Sequence, residues 1–144
     1  MSDPIEYQIK GIEILEFSVT EQKDKLNADL TYGFGFTLDH SLDIETKTIS
    51  VTCSLKISDA ADSIQFASLK AACIYELTDF LSYVKTAPVK ISFPESFLQS
   101  INSVTLSTIR GIAFSYFKGT FLHNAILPII DVSELQPMAG NEPK

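Results

Sequence analysis

Alternating apolar and polar residues dominate the first half of the chain. The clearest run is residues 26–38, where Leu26, Leu38 and every even position between them are apolar. The odd positions are polar or glycine. Residues 44–57 alternate in the same way. A repeat of two is typical of a strand that buries one face, so both runs are predicted to be strands.

Two further runs alternate but change phase part-way. Residues 64–77 shift phase near Ala67–Ser68, which predicts a β-bulge there. Residues 5–19 place Ile12 and Ile14 in one phase and Leu15 and Phe17 in the other. We therefore expect one of these two pairs to face away from the core.

Short polar segments connect the four predicted strands: "TEQKDK", "DHSLD" and "SDAADS". Connections of this length favour antiparallel neighbours. The first half of the chain is thus predicted to be a four-stranded antiparallel meander.

Residues 94–118 carry the pattern of one long helix. Pro94 and Glu95 are typical of a helix start, and Lys118 with Gly119 of a helix end. The apolar positions recur at helical spacing and form a wide stripe. They are Leu98, Ile101, Leu106, Ile109, Ile112, Ala113, Tyr116 and Phe117. A meander followed by this helix predicts an α+β fold.

The opposite face of the predicted helix carries small residues spaced four apart: Ser103, Ser107, Gly111 and Ser115. Glycine costs a helix about 1 kcal/mol relative to alanine. A row of small residues is a groove that ridges of another helix can enter. We interpret the row as an interface with a second copy of the chain. The alternative is that its serines face water.

Composition limits the classes of function. The chain has 144 residues, which fits one domain, predicted over 1–136, with a disordered tail at 137–144. Its formal net charge of −7 argues against nucleic acid as a partner. It contains no apolar run long enough to span a bilayer, so no membrane insertion is expected. The acidic start lacks a signal-like apolar segment and indicates the cytoplasm.

The two cysteines, Cys53 and Cys73, lie in the apolar phase of predicted strands. They are interpreted as buried, inert thiols, and a disulfide stays open if their strands are neighbours. Neither belongs to a CxxC or Cys–His arrangement, so no metal site is predicted.

The sequence contains none of the catalytic motifs for which a reaction would be inferred. His40 and His123 are far apart, and neither accompanies a nucleophile motif. The carboxylates Asp39, Asp43 and Glu45 are interpreted as solvated turn residues. We predict a protein that is not an enzyme and that uses no cofactor.

The segment "YGFGF", residues 32–36, concentrates aromatic residues on one strand face and leaves the other face bare at Gly33 and Gly35. Glycine within a strand often marks a close approach by another backbone. The bare face suits a close-packed helix, a bend, a neighbouring subunit or an extended peptide. The aromatic face also permits a cup for a small hydrophobic ligand.

The last third of the chain resembles the protein-export chaperone SecB. The matching landmarks are an arginine in the helix, a basic–Gly–Thr helix exit, and a Leu-x-Pro-hydrophobic loop leading to a short helix. "YQIKGIEI" near the N-terminus also resembles the first strand of that family. The landmark residues are Arg110, Lys118, Gly119, Thr120, Leu127, Pro128, Ile129, Ile130 and 131–135.

This resemblance implies a four-stranded sheet with a long helix and a homotetramer built as a dimer of dimers. It also implies nucleotide-independent binding of unfolded polypeptides in apolar grooves. The sequence departs from the family in its tail, where "MAGNEPK" replaces an acidic stretch, and at Ser68, where an acid is expected. Engagement of the translocation motor SecA is therefore not expected to carry over. A chaperone dedicated to one client, such as an antitoxin, is the alternative.

The predicted peptide-binding surface combines apolar positions that the core does not obviously need with a lid after the helix. Its residues are Ile12, Ile14, Tyr32, Phe34, Phe121, Leu127, Ile129, Ile130, Val132 and Leu135.

Overall fold

The computed structural model describes residues 5–20, 31–60, 64–86 and 89–130. Four long strands and one long helix account for most of them. The strands are β1 (Tyr7–Val19), β2 (Tyr32–Asp43), β3 (Thr48–Asp59) and β4 (Gln65–Leu77). Two short strands, β5 (Val84–Thr86) and β6 (Val89–Ile91), form a hairpin between a short helix, α1 (Phe80–Tyr83), and the long helix, α2 (Glu95–Phe117). The predicted α+β class is confirmed.

The strands of the main sheet lie in the order β1-β4-β3-β2, and every neighbouring pair is antiparallel. Strands β2, β3 and β4 form the predicted meander. A fully sequential meander would place β1 beside β2, and this part of the prediction is wrong. β1 pairs instead with β4 along its whole length. Residues 21–30, which include the first part of the predicted strand 26–38, lie outside the described residues.

Helix α2 follows the predicted limits closely. Pro94 occupies the N-cap position, and Gly119 follows the helix with a φ of +84°, a conformation that glycine adopts without strain. The helix packs on the central strands β3 and β4. It therefore covers the middle of the sheet, and the edge strands β1 and β2 have different surroundings.

Two hydrophobic cores lie side by side beneath α2. The first core, under the C-terminal half of the helix, includes Leu55, Phe66, Leu69, Ile109, Phe117 and Leu122. The second core, under the N-terminal half, includes Ile49, Val51, Tyr75, Phe80, Phe97 and Ile101. The Tyr75 hydroxyl donates to the Ile101 carbonyl oxygen at 3.1 Å and lies 2.7 Å from Thr105 Oγ1. Burial of this polar group is thus offset by hydrogen bonds.

The hairpin and α1 extend the second core and were not predicted from the sequence. Phe93 stacks on Tyr83 with ring centroids 5.6 Å apart and contacts Phe97 at 5.4 Å. Both strands are only three residues long, too short to show alternation.

The phase changes in the sequence correspond to β-bulges. In β4 the pairing with β3 shifts at Phe66, next to the predicted position. In β1 the pairing with β4 shifts twice, and Lys10 and Leu15 are the extra residues. Each bulge resets the alternation of the strand by one residue.

Candidate functional site

The bulges of β1 place all of its regularly paired apolar residues on the helix side of the sheet. Residues directly opposite each other in an antiparallel pair share a face. Ile12 pairs with Cys73, Ile14 with Ala71 and Phe17 with Leu69. Those β4 residues are buried towards the helix. The expectation that one pair faces away is therefore wrong, because the bulge at Leu15 returns Phe17 to the face of Ile14.

This apolar side of β1 is exposed although it faces the helix side. Ile9, Ile12, Ile14 and Phe17, named here the β1 strip, keep 42%, 47%, 41% and 40% of their surface accessible. Helix α2 packs on the two central strands and leaves the edge strand largely uncovered. Contiguous apolar surface of this kind typically marks a site for a polypeptide or another subunit.

Aromatic contacts limit the strip at each end. At one end the Phe17 ring lies edge-on to Tyr116, with centroids 4.6 Å apart. At the other end Tyr7 contacts Tyr75 at 5.8 Å and Phe97 at 5.3 Å. Between these clusters lie the open side chains of the strip. The site is an elongated apolar surface between β1 and α2, a shape that suits an extended chain.

Sequence reasoning selected Ile12 and Ile14 and missed Ile9, Phe17 and Tyr116. A signal was present: apolar residues recur at 7, 9, 12, 14, 17 and 19, which is a two-residue repeat with one residue inserted twice. Only the pairing with β4 shows which residues are the insertions.

Five other predicted binding residues lie towards the opposite edge of the sheet, in β2 and in the segment after α2. Tyr32, Phe34, Phe121 and Ile130 are partly buried against the first core. Leu127 is only 2% accessible and belongs to that core. Ile12 and Ile14 are thus not brought together with these residues within one chain.

The segment after α2 covers the β2 half of the sheet. Tyr32 Oη donates to the Phe121 carbonyl oxygen at 3.2 Å, and Phe121 contacts Phe66 at 5.5 Å. Ile129 follows the covered part and is 93% exposed. Val132 and Leu135, the remaining predicted lid residues, lie outside the described residues.

Arg110 ties this segment to the helix. Its Nε donates to the Leu127 carbonyl oxygen at 2.8 Å and its Nη2 to the Pro128 carbonyl oxygen at 2.9 Å. The arginine of the sequence landmark therefore has a visible structural role. It satisfies two loop carbonyls and holds Leu127 in the core.

The small-residue row of α2 is exposed in the single chain. Ser103, Ser107, Gly111 and Ser115 all face away from the sheet. A Cβ added to Gly111 would meet nothing within 4 Å. Phe114 adds an aromatic side chain that is 45% exposed on the same side of the helix. The proposed interface with another copy stays a prediction.

The bare face of β2 contains two glycines in different surroundings. A Cβ at Gly33 would lie 3.2 Å from Ser58 Oγ, whereas one at Gly35 would meet nothing within 4 Å. Tyr32, Phe34 and Phe36 occupy the other face and pack against the first core. The aromatic face of β2 therefore serves packing within the chain.

Both cysteines are buried free thiols on the helix side of the sheet. Cys53 lies opposite Ala71, and Cys73 lies opposite Val51, so the two are diagonal neighbours on β3 and β4. Burial raises the pKa of Cys53 to about 12 and also raises the pKa of Cys73. The prediction of buried thiols is confirmed, and these groups are poor nucleophiles.

The titratable residues considered as catalytic candidates lie in different parts of the structure. His40 contacts Asn102, whereas His123 lies near the Phe114 ring in the segment after α2. Asp43 accepts hydrogen bonds from the backbone N–H groups of Glu45 and Thr46. Asp43 ends β2 and supports the turn that contains Glu45. Asp39 instead lies within β2 and pairs with Thr52, so its interpretation as a turn residue is wrong. Among the described residues, no group of three or more His, Cys, Asp or Glu side chains is arranged to hold a metal ion.

The outer face of the sheet is polar. Glu13 and Glu16 of β1 lie there, opposite Ala72 and Lys70. Lys10, at the first bulge, forms an ion pair with Glu76 at 3.3 Å. Among the helices that the structure describes, none is both long and apolar enough to cross a membrane.

Comparison with solved structures identifies the architecture. The chain is similar to the SecB-like chaperone of Mycobacterium tuberculosis, solved in complex with a ChAD peptide from the HigA1 antitoxin, with a TM-score of 0.61. The match covers 86% of this chain and 90% of that one. The chain has a SecB-like fold.

Sequence comparison alone does not reach this result. Identity with the mycobacterial SecB-like protein is 16%. No family model matches the chain, and no curated protein matches it. The SecB-like fold predicted from the landmarks around Arg110 is confirmed by structure.

Proposed function

We propose that this protein is an ATP-independent chaperone that holds non-native polypeptides. The observation that carries the proposal is the β1 strip, an elongated apolar surface left open on a SecB-like fold. A non-native segment would bind by burying its own apolar side chains against the strip. Each large side chain removed from water contributes roughly 1.5–3 kcal/mol. Such a protein acts by binding, performs no chemistry and requires no cofactor.

We further propose that it acts as a homotetramer in the cytoplasm. The exposed row of Ser103, Ser107, Gly111 and Ser115 offers a surface on which helices of different copies can approach closely. Several strips in one assembly would bind several segments of one client and raise the overall affinity through avidity.

Suppression of aggregation tests the general function. A chemically denatured client is diluted with and without a several-fold molar excess of the protein, and turbidity is followed without nucleotide. We expect protection for several unrelated clients, unchanged when ATP is added. Absence of protection for all of them would remove the general-chaperone proposal.

A chaperone dedicated to one client is the second candidate. It is supported by the mycobacterial SecB-like protein, which was solved with a peptide from an antitoxin. Affinity capture from lysate, followed by identification of the bound chains, separates the candidates. Many unfolded precursors would support a general role that includes protein export. One dominant small protein would support a dedicated role.

A further inference from the structure

A partly buried polar contact connects the edge strand β2 to helix α2. His40 pairs with Val51 in the sheet, so its side chain lies on the helix side. Its Nε2 is 2.7 Å from Oδ1 of Asn102, a residue buried in the first half of α2. The contact joins two elements that are distant in sequence.

The chemistry of the contact determines the state of the ring. An amide oxygen only accepts hydrogen bonds, so Nε2 must carry the proton that it donates to Asn102. In the neutral ring, Nδ1 is then an unprotonated acceptor. This nitrogen is buried and has no hydrogen-bond partner among the described residues. Buried polar atoms without a partner are rare and call for an explanation.

We propose that the His40–Asn102 contact is an acid-sensitive tie between β2 and α2. A proton added at Nδ1 creates an imidazolium with a second N–H group that has no acceptor. Its neighbours on the helix side, Leu38, Leu42 and Val51, offer only apolar surface. Protonation thus favours release of β2 from the N-terminal half of α2, where the second core lies.

The surroundings of His40 contain little negative charge to compensate. Asp39 precedes it on β2 and pairs with Thr52, so its side chain points to the outer face. The residues paired across the sheet from His40 are Val51 of β3 and, beyond it, Cys73 of β4. From α2, the residue that contacts His40 is Asn102. Burial lowers the pKa of His40, against the opposing effects of Asn102 and Asp39.

The direction of the pH dependence follows from the lowered pKa. Above pH 6.5, the ordinary pKa of histidine, His40 is neutral in both the folded and the unfolded protein. The contact with Asn102 then contributes its full stability. Below that value the unfolded chain binds a proton that the folded chain resists, so stability falls as pH falls. The loss is complete once the pH is below the folded pKa.

Thermal unfolding of matched variants tests the proposal. His40→Gln keeps an amide donor near Asn102 but removes the titration. We expect the Tm of the wild type to fall between about pH 7.5 and about pH 5.5 by at least about 3 °C more than that of His40→Gln. His123→Gln changes the other histidine, which is exposed, and should retain the wild-type loss. Equal losses in the wild type and His40→Gln would overturn the proposal.

NMR titration of the wild type provides a measurement that does not depend on a variant folding. The His40 ring signals should titrate below pH 6.5, and the neutral ring should be the Nε2–H form. A His40 midpoint at or above 6.5, or an Nδ1–H neutral form, would contradict the proposed tie.

Discussion

The ring of Phe17 lies edge-on to the ring of Tyr116, with centroids 4.6 Å apart. This contact brings the end of α2 to the edge strand, although the rest of the strip remains open. Phe17 itself is still 40% exposed. The two aromatic residues thus close one end of an apolar surface without filling it.

The β1 strip gives the first prediction. Replacing Ile12 and Ile14 together with serine removes two large apolar side chains from the proposed binding surface. We expect affinity for a labelled unfolded client to fall at least tenfold, about 1.4 kcal/mol. Thermal stability should change little, because both side chains are more than 40% exposed. Fluorescence anisotropy measures the affinity.

Ile44→Ser is the matched control for the strip. Ile44 is 39% exposed but follows β2, at the other edge of the sheet. Its replacement should leave client affinity unchanged. If the double variant binds as the wild type does, the strip is not the binding surface.

Gly111 gives a prediction about assembly. Gly111→Leu should convert the proposed tetramer to smaller species, because the larger side chain fills the groove of the small-residue row. The isolated chain has room for it, since a Cβ there meets nothing within 4 Å. Gly111→Ala should keep the assembly and stabilise the helix by about 1 kcal/mol. Light scattering that finds the same mass for both variants would exclude the row from the interface.

Arg110 gives a prediction about the segment that covers β2. Arg110→Met removes the hydrogen bonds to the carbonyl oxygens of Leu127 and Pro128. We expect a loss of about 1–2 kcal/mol in the free energy of unfolding, measured with denaturant. For Arg110→Lys, which can reach one carbonyl, we expect a free energy of unfolding between those of the wild type and Arg110→Met. Faster hydrogen exchange in residues 121–127 should accompany the loss of stability. Unchanged exchange would argue against this role of Arg110.

Thiol reactivity tests the buried cysteines. The raised pKa values of Cys53 and Cys73 leave almost no thiolate near neutral pH, and both side chains are inaccessible. A thiol reagent should therefore label neither cysteine in the native protein and both after denaturation. Rapid labelling of the native protein would show that the sheet opens beneath α2.

Local signals in the sequence predicted the helix and the strand content. The limits of α2 follow from Pro94 and Gly119, whose backbone preferences do not depend on distant contacts. Alternation in residues 44–57 likewise survives in the buried face of β3.

Long-range pairing explains what the sequence did not reveal. The position of β1 beside β4, and the identity of Lys10 and Leu15 as bulges, depend on a partner strand far along the chain. The sequence places Leu127 in a lid because it is an apolar residue in the segment after the helix that resembles the SecB landmark. Its burial depends on Arg110 and on the first core, which only the folded chain brings together.

The bulges of β1 also bear on the tendency of the protein to aggregate. An edge strand with open apolar side chains is a template for uncontrolled stacking of further strands. Bulges at Lys10 and Leu15 interrupt the regular spacing of the backbone donors and acceptors along this edge. Fibril-like growth needs that regular spacing, whereas the binding of a single irregular client segment does not. We therefore expect the same two residues that orient the apolar strip to limit aggregation of the protein with itself.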